Sequence, residues 1–151
     1  MRRALVTGCS SGIGRAVTLA LLADGWSVVG LSRRFPTGLS AAIGFGAGEF
    51  VWHHVDLMTA HQIPRVQFRL GLGLDALIHA AAEQGPFGPF LETGPEAWER
   101  CVTLNLIGTA RILREALPHL RHSDDGRVLL FAGGGAFNPR PSYSAYAASK
   151  A

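Results

Sequence analysis

Thiols, lysines and long apolar stretches are all scarce in this chain. The two cysteines, Cys9 and Cys101, are too few for a disulfide framework, so a reduced, cytoplasmic setting is expected. Of the 14 basic residues only Lys150 is a lysine. The arginines are scattered from Arg2 and Arg3 to Arg140 rather than gathered beside stacking aromatics. Despite a net charge of +3, that pattern argues against a nucleic-acid partner. The longest apolar run, Leu74 to Ala82, is interrupted by Asp75 and His79. It falls well short of the ~20 residues of a membrane span, so no membrane partner is expected. Met1-Arg2-Arg3-Ala4-Leu5-Val6 is followed at once by glycines and serines, unlike a secretory leader. What is present is a globular composition: 48% apolar residues over 151 positions. That length suits one domain, 1–151, burying roughly 70% of its unfolded surface.

Short apolar runs alternate with helical patterns, which reads as βαβ units and a parallel sheet. Strands are predicted at Ala4–Val6, Ser27–Leu31, Phe50–Val55, Leu74–Ile78 and Val128–Ala132. A helix begins after the first strand, with Ile13, Ala16, Val17, Ala20 and Leu21 at helical spacing and Gly25 as its stop. A longer helix follows the fourth strand. Thr93-Gly94-Pro95-Glu96 has the spacing of a capping box, and Trp98, Val102, Asn105, Thr109, Ile112 and Ala116 share one face. Pro118 is expected to end or kink it. Only a poor helix fits between Leu39 and Phe45, and 83–94 reads as a loop.

The turn between the first strand and its helix is Thr7-Gly8-Cys9-Ser10-Ser11-Gly12-Ile13-Gly14. A strand, a glycine turn and a helix N-terminus together make a dinucleotide-phosphate site. The helix end offers unpaired N–H groups and partial positive charge, and glycines let the backbone approach the phosphates. Gly8, Gly12, Ile13 and Gly14 shape the turn, and Ser10 and Ser11 add hydroxyls.

A second motif closes the chain, Tyr146-Ala147-Ala148-Ser149-Lys150. Residues four apart share a helix face. A free phenol, of pKa about 10, exchanges protons poorly near neutrality, and a neighbouring ammonium favours its ionised form. Tyrosine thereby becomes a usable general acid or base. Tyr143, seven residues from Lys150, is a decoy.

With the three-residue gap between Gly8 and Gly12 and about 130 residues between motifs, this pair resembles the signatures of the short-chain dehydrogenase/reductase family. The resemblance implies an α/β, Rossmann-like doubly wound sheet of about five parallel strands in the order 3-2-1-4-5. It implies hydride transfer between a nicotinamide and a carbonyl or alcohol substrate, a small molecule. Tyr146 would be the proton donor or acceptor and Lys150 its tuner and ribose anchor. Asn105, in Asn105-Leu106-Ile107-Gly108, would support a water relay. Asp56 and Leu57 match the adenine-contacting position. Ala80 and Ala81, in His79-Ala80-Ala81-Ala82, match the family's Asn-Asn-Ala-Gly segment, both asparagines being absent. His79 is expected to be structural. At the end of the second strand a carboxylate would favour NAD; Ser32, Arg33 and Arg34 stand there instead and favour NADP, with NAD the less favoured cofactor.

Two departures bear on activity. The family's catalytic serine, thirteen residues before the tyrosine, is Gly133 here. Loss of one such donor typically costs about 10²–10³ in rate. Ser142, Ser144 and the N–H groups of the Gly133-Gly134-Gly135 turn are candidate substitutes. The chain also matches only about the first three-fifths of the family domain, without its C-terminal strands. The fifth strand is then expected to be a bare edge and the homo-oligomer usual in the family to be in doubt. If these residues were the whole molecule, a non-catalytic nucleotide-binding fragment or inactive relative would be the expected reading.

Overall fold

A computed structural model describes residues 1–39, 48–59, 73–138 and 140–151. Its five strands are all parallel: β1 (Arg3–Thr7), β2 (Ser27–Ser32), β3 (Phe50–His54), β4 (Ala76–His79) and β5 (Arg127–Leu130). They form one sheet in the order β3-β2-β1-β4-β5, as the resemblance implied. The register pairs Leu5 with Val29 on one side and with Leu77 on the other.

Successive strand residues point to opposite faces, and that alternation divides the core. Leu5, Val29, Leu31 and Leu77 face one layer, where Leu104, Ile112, Ala116 and Leu120 cover them. Ala4, Val6, Val28, Ala76 and Ile78 face the other, with Leu22 of α1 (Gly12–Ala23) packed against them. Burial on both faces explains why β1, β2 and β4 read as unbroken apolar runs. β5 has the same composition without the cover: it is an edge, and Val128, Leu129 and Leu130 are 41–48% exposed.

Several local expectations are corrected. In α1 the buried stripe is Gly14, Thr18 and Leu22. Val17 and Leu21 pack only partly, Ala16 and Ala20 are exposed, and Ile13 is 58% exposed at the helix start. Thr18 is tolerated inside because its hydroxyl donates to the Gly14 carbonyl at 2.8 Å. The capping box does not form. Gly94, not Thr93, caps α2 (Pro95–Val102), and the Thr93 hydroxyl turns back to the Phe90 carbonyl at 2.9 Å. The single long helix is three pieces: α2, a π-helical turn at Thr103–Ile107, and α3 (Gly108–Leu120). Asn105 in the wide turn and Ile112 and Ala116 in α3 all face inward. Pro118 lies inside α3, which continues past it and ends at Leu120. The helix expected between Leu39 and Phe45 falls, beyond Leu39 itself, outside the described residues. A last short helix, α4 (Ser144–Lys150), carries the second motif. Among the described residues no helix is long and apolar enough to cross a membrane.

Candidate active site

Strand β1 ends in the glycine turn, which is tied down at once: the Gly8 N–H donates to the Leu31 carbonyl at 2.8 Å. The turn is as tight as its glycines allow. A Cβ on Gly8 would lie 2.9 Å from the Ala81 nitrogen, and one on Gly14 would overlap the Gly8 carbonyl. Ser11 is the N-cap of α1, yet its hydroxyl makes no capping bond and no acidic residue occupies the first turn. The helix N-terminus therefore opens, uncapped and without a repelling charge, onto a cleft of about 290 Å³.

That cleft runs along the C-terminal ends of β1, β2 and β4, at the strand-order switch where open α/β sheets hold ligands. Gly8, Ser10, Ser11, Gly12 and Ile13 form one wall. Ser32, Arg33 and Arg34 form its far end, Asp56 and Leu57 its side, and Ala80 and Ala81 its floor. Gly14 lies behind the wall and acts by close packing. Sequence reasoning missed Leu31, Val55, Ala82 and Leu104, which also line it. Leu104, which lies in the π-helical turn, was not on the helix face that the linear pattern singled out.

The polar groups of the cleft have assigned tasks. The Ser32 hydroxyl is buried; it donates to the Arg34 carbonyl at 2.6 Å and accepts from the Trp52 indole at 2.9 Å. It thus shapes the turn that leaves Arg33 and Arg34 exposed, with no acidic partner for either among the described residues. One Asp56 oxygen accepts the Met58 N–H at 3.0 Å, a local cap. Arg111 of α3 holds the same loop through the Met58 carbonyl at 2.8 Å. Burial pushes the Cys9 and Cys101 thiols above the usual value, so both are inert packing residues.

His79 fills the place of the missing asparagine with a defined tautomer. Its Nδ1 lies 2.8 Å from the Thr7 hydroxyl and its Nε2 2.8 Å from the Thr109 hydroxyl. Thr109 donates its proton to the Asn105 carbonyl, so it accepts from Nε2–H. Thr7 accepts from the Ala81 N–H at 3.1 Å and donates to Nδ1. One neutral imidazole thus satisfies both hydroxyls. Burial, reinforced by the charge of Lys150, lowers its pKa to about 4.

The second motif is brought to the same end of the sheet. Asn105 is buried and fully bonded: its amide donates to the Glu83 carbonyl at 2.8 Å and to Ser149 Oγ at 2.9 Å, and its oxygen accepts the Glu83 N–H at 3.0 Å. Ser149 in turn donates to the Tyr146 carbonyl at 2.9 Å, tying Asn105 to α4. The Lys150 ammonium donates to the Phe131 carbonyl at 3.1 Å, and burial pulls its pKa below the ordinary lysine value. Tyr146, Lys150 and Asn105 lie outside the lining of the 290 Å³ cleft. Tyr143 is the N-cap residue of α4, with its ring edge-on to Phe87 at 5.0 Å and under the Arg140 guanidinium at 4.0 Å. Of the candidate substitute serines, Ser144 accepts from the Trp98 indole at 3.3 Å, and Ser142 has φ 66° with its carbonyl bonded to the Gly88 N–H. The space beside Gly133 holds the Tyr146 ring instead.

Residues 2–151 match the family model for short chain dehydrogenase. Human dehydrogenase/reductase SDR family member 4 is 28% identical over 97% of the chain, which spans 55% of that relative. A solved short-chain dehydrogenase of Pseudomonas syringae superposes with a TM-score of 0.92 at 30% identity, covering 99% of this chain and 64% of its own. One from Shigella flexneri, complexed with NADP, does so at 0.91 and 28%, covering 99% and 66%. The chain therefore spans about half to two thirds of the proteins it resembles, and it belongs to the short-chain dehydrogenase family.

Proposed function

We propose that this chain forms the cofactor-binding part of an NADP-dependent oxidoreductase acting on a small carbonyl or alcohol substrate. The observation that carries the reading is the cleft at the sheet's switch point, closed by an uncapped helix N-terminus at one end and by two arginines at the other. The residues fit a dinucleotide. Gly8, Ser10, Ser11, Gly12 and Ile13 would hold the diphosphate, with Gly14 packed behind them. Arg33 and Arg34 would take the 2′-phosphate, beside a Ser32 that brings no repelling charge. Asp56 and Leu57 would flank the adenine, and Ala80 and Ala81 would leave room along the floor. When bound, the nicotinamide would give the hydride to a carbonyl or take it from an alcohol. Tyr146 would correspondingly give the substrate oxygen its proton or remove it, Lys150 would hold the nicotinamide ribose, and Asn105 fixes α4 through Ser149. The Shigella relative, complexed with NADP, supports the cofactor assignment.

A second reading, nucleotide binding without turnover, is favoured by one feature: Gly133 offers no hydroxyl beside Tyr146. Fluorescence titration with NADPH and NADH, beside NADPH oxidation with a panel of ketones, separates the two. Tight NADPH binding weakened in Arg33→Ala, with turnover lost in Tyr146→Phe, supports the oxidoreductase. Binding without turnover supports the second reading, and equal affinity for both cofactors removes the NADP assignment.

A further inference from the structure

We propose that Gly133 is the seat of the Tyr146 phenol: the glycine is a positioning residue for the proton-exchanging oxygen, and any side chain there, serine included, displaces it. The proposal rests on the oxidoreductase reading above for its catalytic consequence, though not for its geometry. A Cβ built on Gly133 falls 2.6 Å from Tyr146 Oη, 2.6 Å from Cε1 and 2.8 Å from Cζ. Carbon atoms in contact settle at roughly 3.5–4.0 Å. The backbone is not what demands glycine, since Gly133 is absent from the glycines with positive φ. The three atoms nearest to such a Cβ all belong to the Tyr146 phenol.

The surroundings decide which partner yields. Gly133 is fixed in a turn by the Ala136 N–H on its carbonyl at 3.0 Å. Two residues on, a Cβ at Gly135 would fall 2.9 Å from that of Ala147, so the glycine turn and α4 already touch. The α4 backbone is held through Ser149 and Asn105. The ring end of Tyr146, with the Arg140 guanidinium 5.6 Å over it, is the part left to yield. Pushing it aside costs little stability but moves the oxygen by about 1 Å, a displacement that can cost on the order of 10² in rate. Gly133 is therefore not a vacated serine awaiting restoration; the phenol occupies that space.

The test uses Gly133→Ser and Gly133→Ala, with ¹³C-labelled tyrosine. The chain has two tyrosines, so the spectrum holds two ring signals, and Tyr143→Phe assigns them. Both variants are expected to shift the Tyr146 signal and leave that of Tyr143 in place. They should keep NADPH affinity and lower kcat about 100-fold. A Gly133→Ser protein as fast as its parent, or faster, overturns the proposal. So does a Tyr146 signal unmoved in both variants. If the parent binds NADPH without turnover, the oxidoreductase reading fails on its own, and the Tyr146 resonance still decides the seat. Should the serine variant not fold, the alanine variant carries the same two readouts.

Discussion

Replacing His79 by leucine tests whether the imidazole holds the sheet together as a neutral crossbar. The ring is 4% exposed and both nitrogens are engaged. Leucine leaves the Thr7 hydroxyl without an acceptor and Thr109 without its donor. A stranded buried polar group costs about 1–3 kcal/mol, so the expected loss is about 3 kcal/mol, the Thr7 side contributing most. For a chain of this size that lowers Tm by about 6–12 °C. His79→Gln, which retains a donor and an acceptor, should recover part of it. The pH dependence is the sharper signature. The unfolded ring takes up its proton near its ordinary value of 6.5, whereas the folded ring stays neutral down to about 4. His79 therefore contributes fully above pH 6.5, and its contribution fades as the pH falls towards 4. Over that window the parent loses about 3 kcal/mol, at up to ~1.4 kcal/mol per pH unit, which His79→Leu does not lose. Urea unfolding followed by tryptophan fluorescence from pH 7 to 4 reads both terms. Asp75, whose carboxyl is held low by Ser123 and the Arg3 N–H, titrates alike in both proteins and cancels. A gap between parent and variant that stays constant across that range would refute the reasoning.

Asn105→Leu strands the Glu83 N–H and carbonyl and cuts the tie to Ser149. A loss of about 3 kcal/mol is expected in the same unfolding assay; a change under about 0.5 kcal/mol, the level of an ordinary surface substitution, would mean the amide is dispensable. Gly14→Ala drives a Cβ into the Gly8 carbonyl. Overpacking against backbone costs about 1–3 kcal/mol, so both Tm and NADPH affinity should fall together. Unchanged NADPH titration in that variant would disconnect the tight turn from the cleft.

Much of this protein was legible in the order of its residues. The βαβ succession and the glycine turn between a strand and a helix depend on neighbours a few positions apart, where apolar period and the freedom of glycine act directly. The family spacing then supplied the strand order, and every residue assigned to the dinucleotide except Gly14, Tyr146 and Lys150 lines the cleft. Local signals misled where tertiary contacts offered a better partner: Thr93 gives its hydroxyl to Phe90 rather than to the helix it precedes. Other features had no local signal at all. Thr7 meets His79 across 72 residues, Asn105 meets Ser149 across 44, and Gly133 meets the Tyr146 ring, each by way of the folded sheet. Sequence alone determined which elements form and which chemistry they can carry. Only the packed structure decided where the histidine's protons lie and that the tyrosine ring fills the space beside a glycine, because hydrogen-bond direction and excluded volume exist only between groups already brought together.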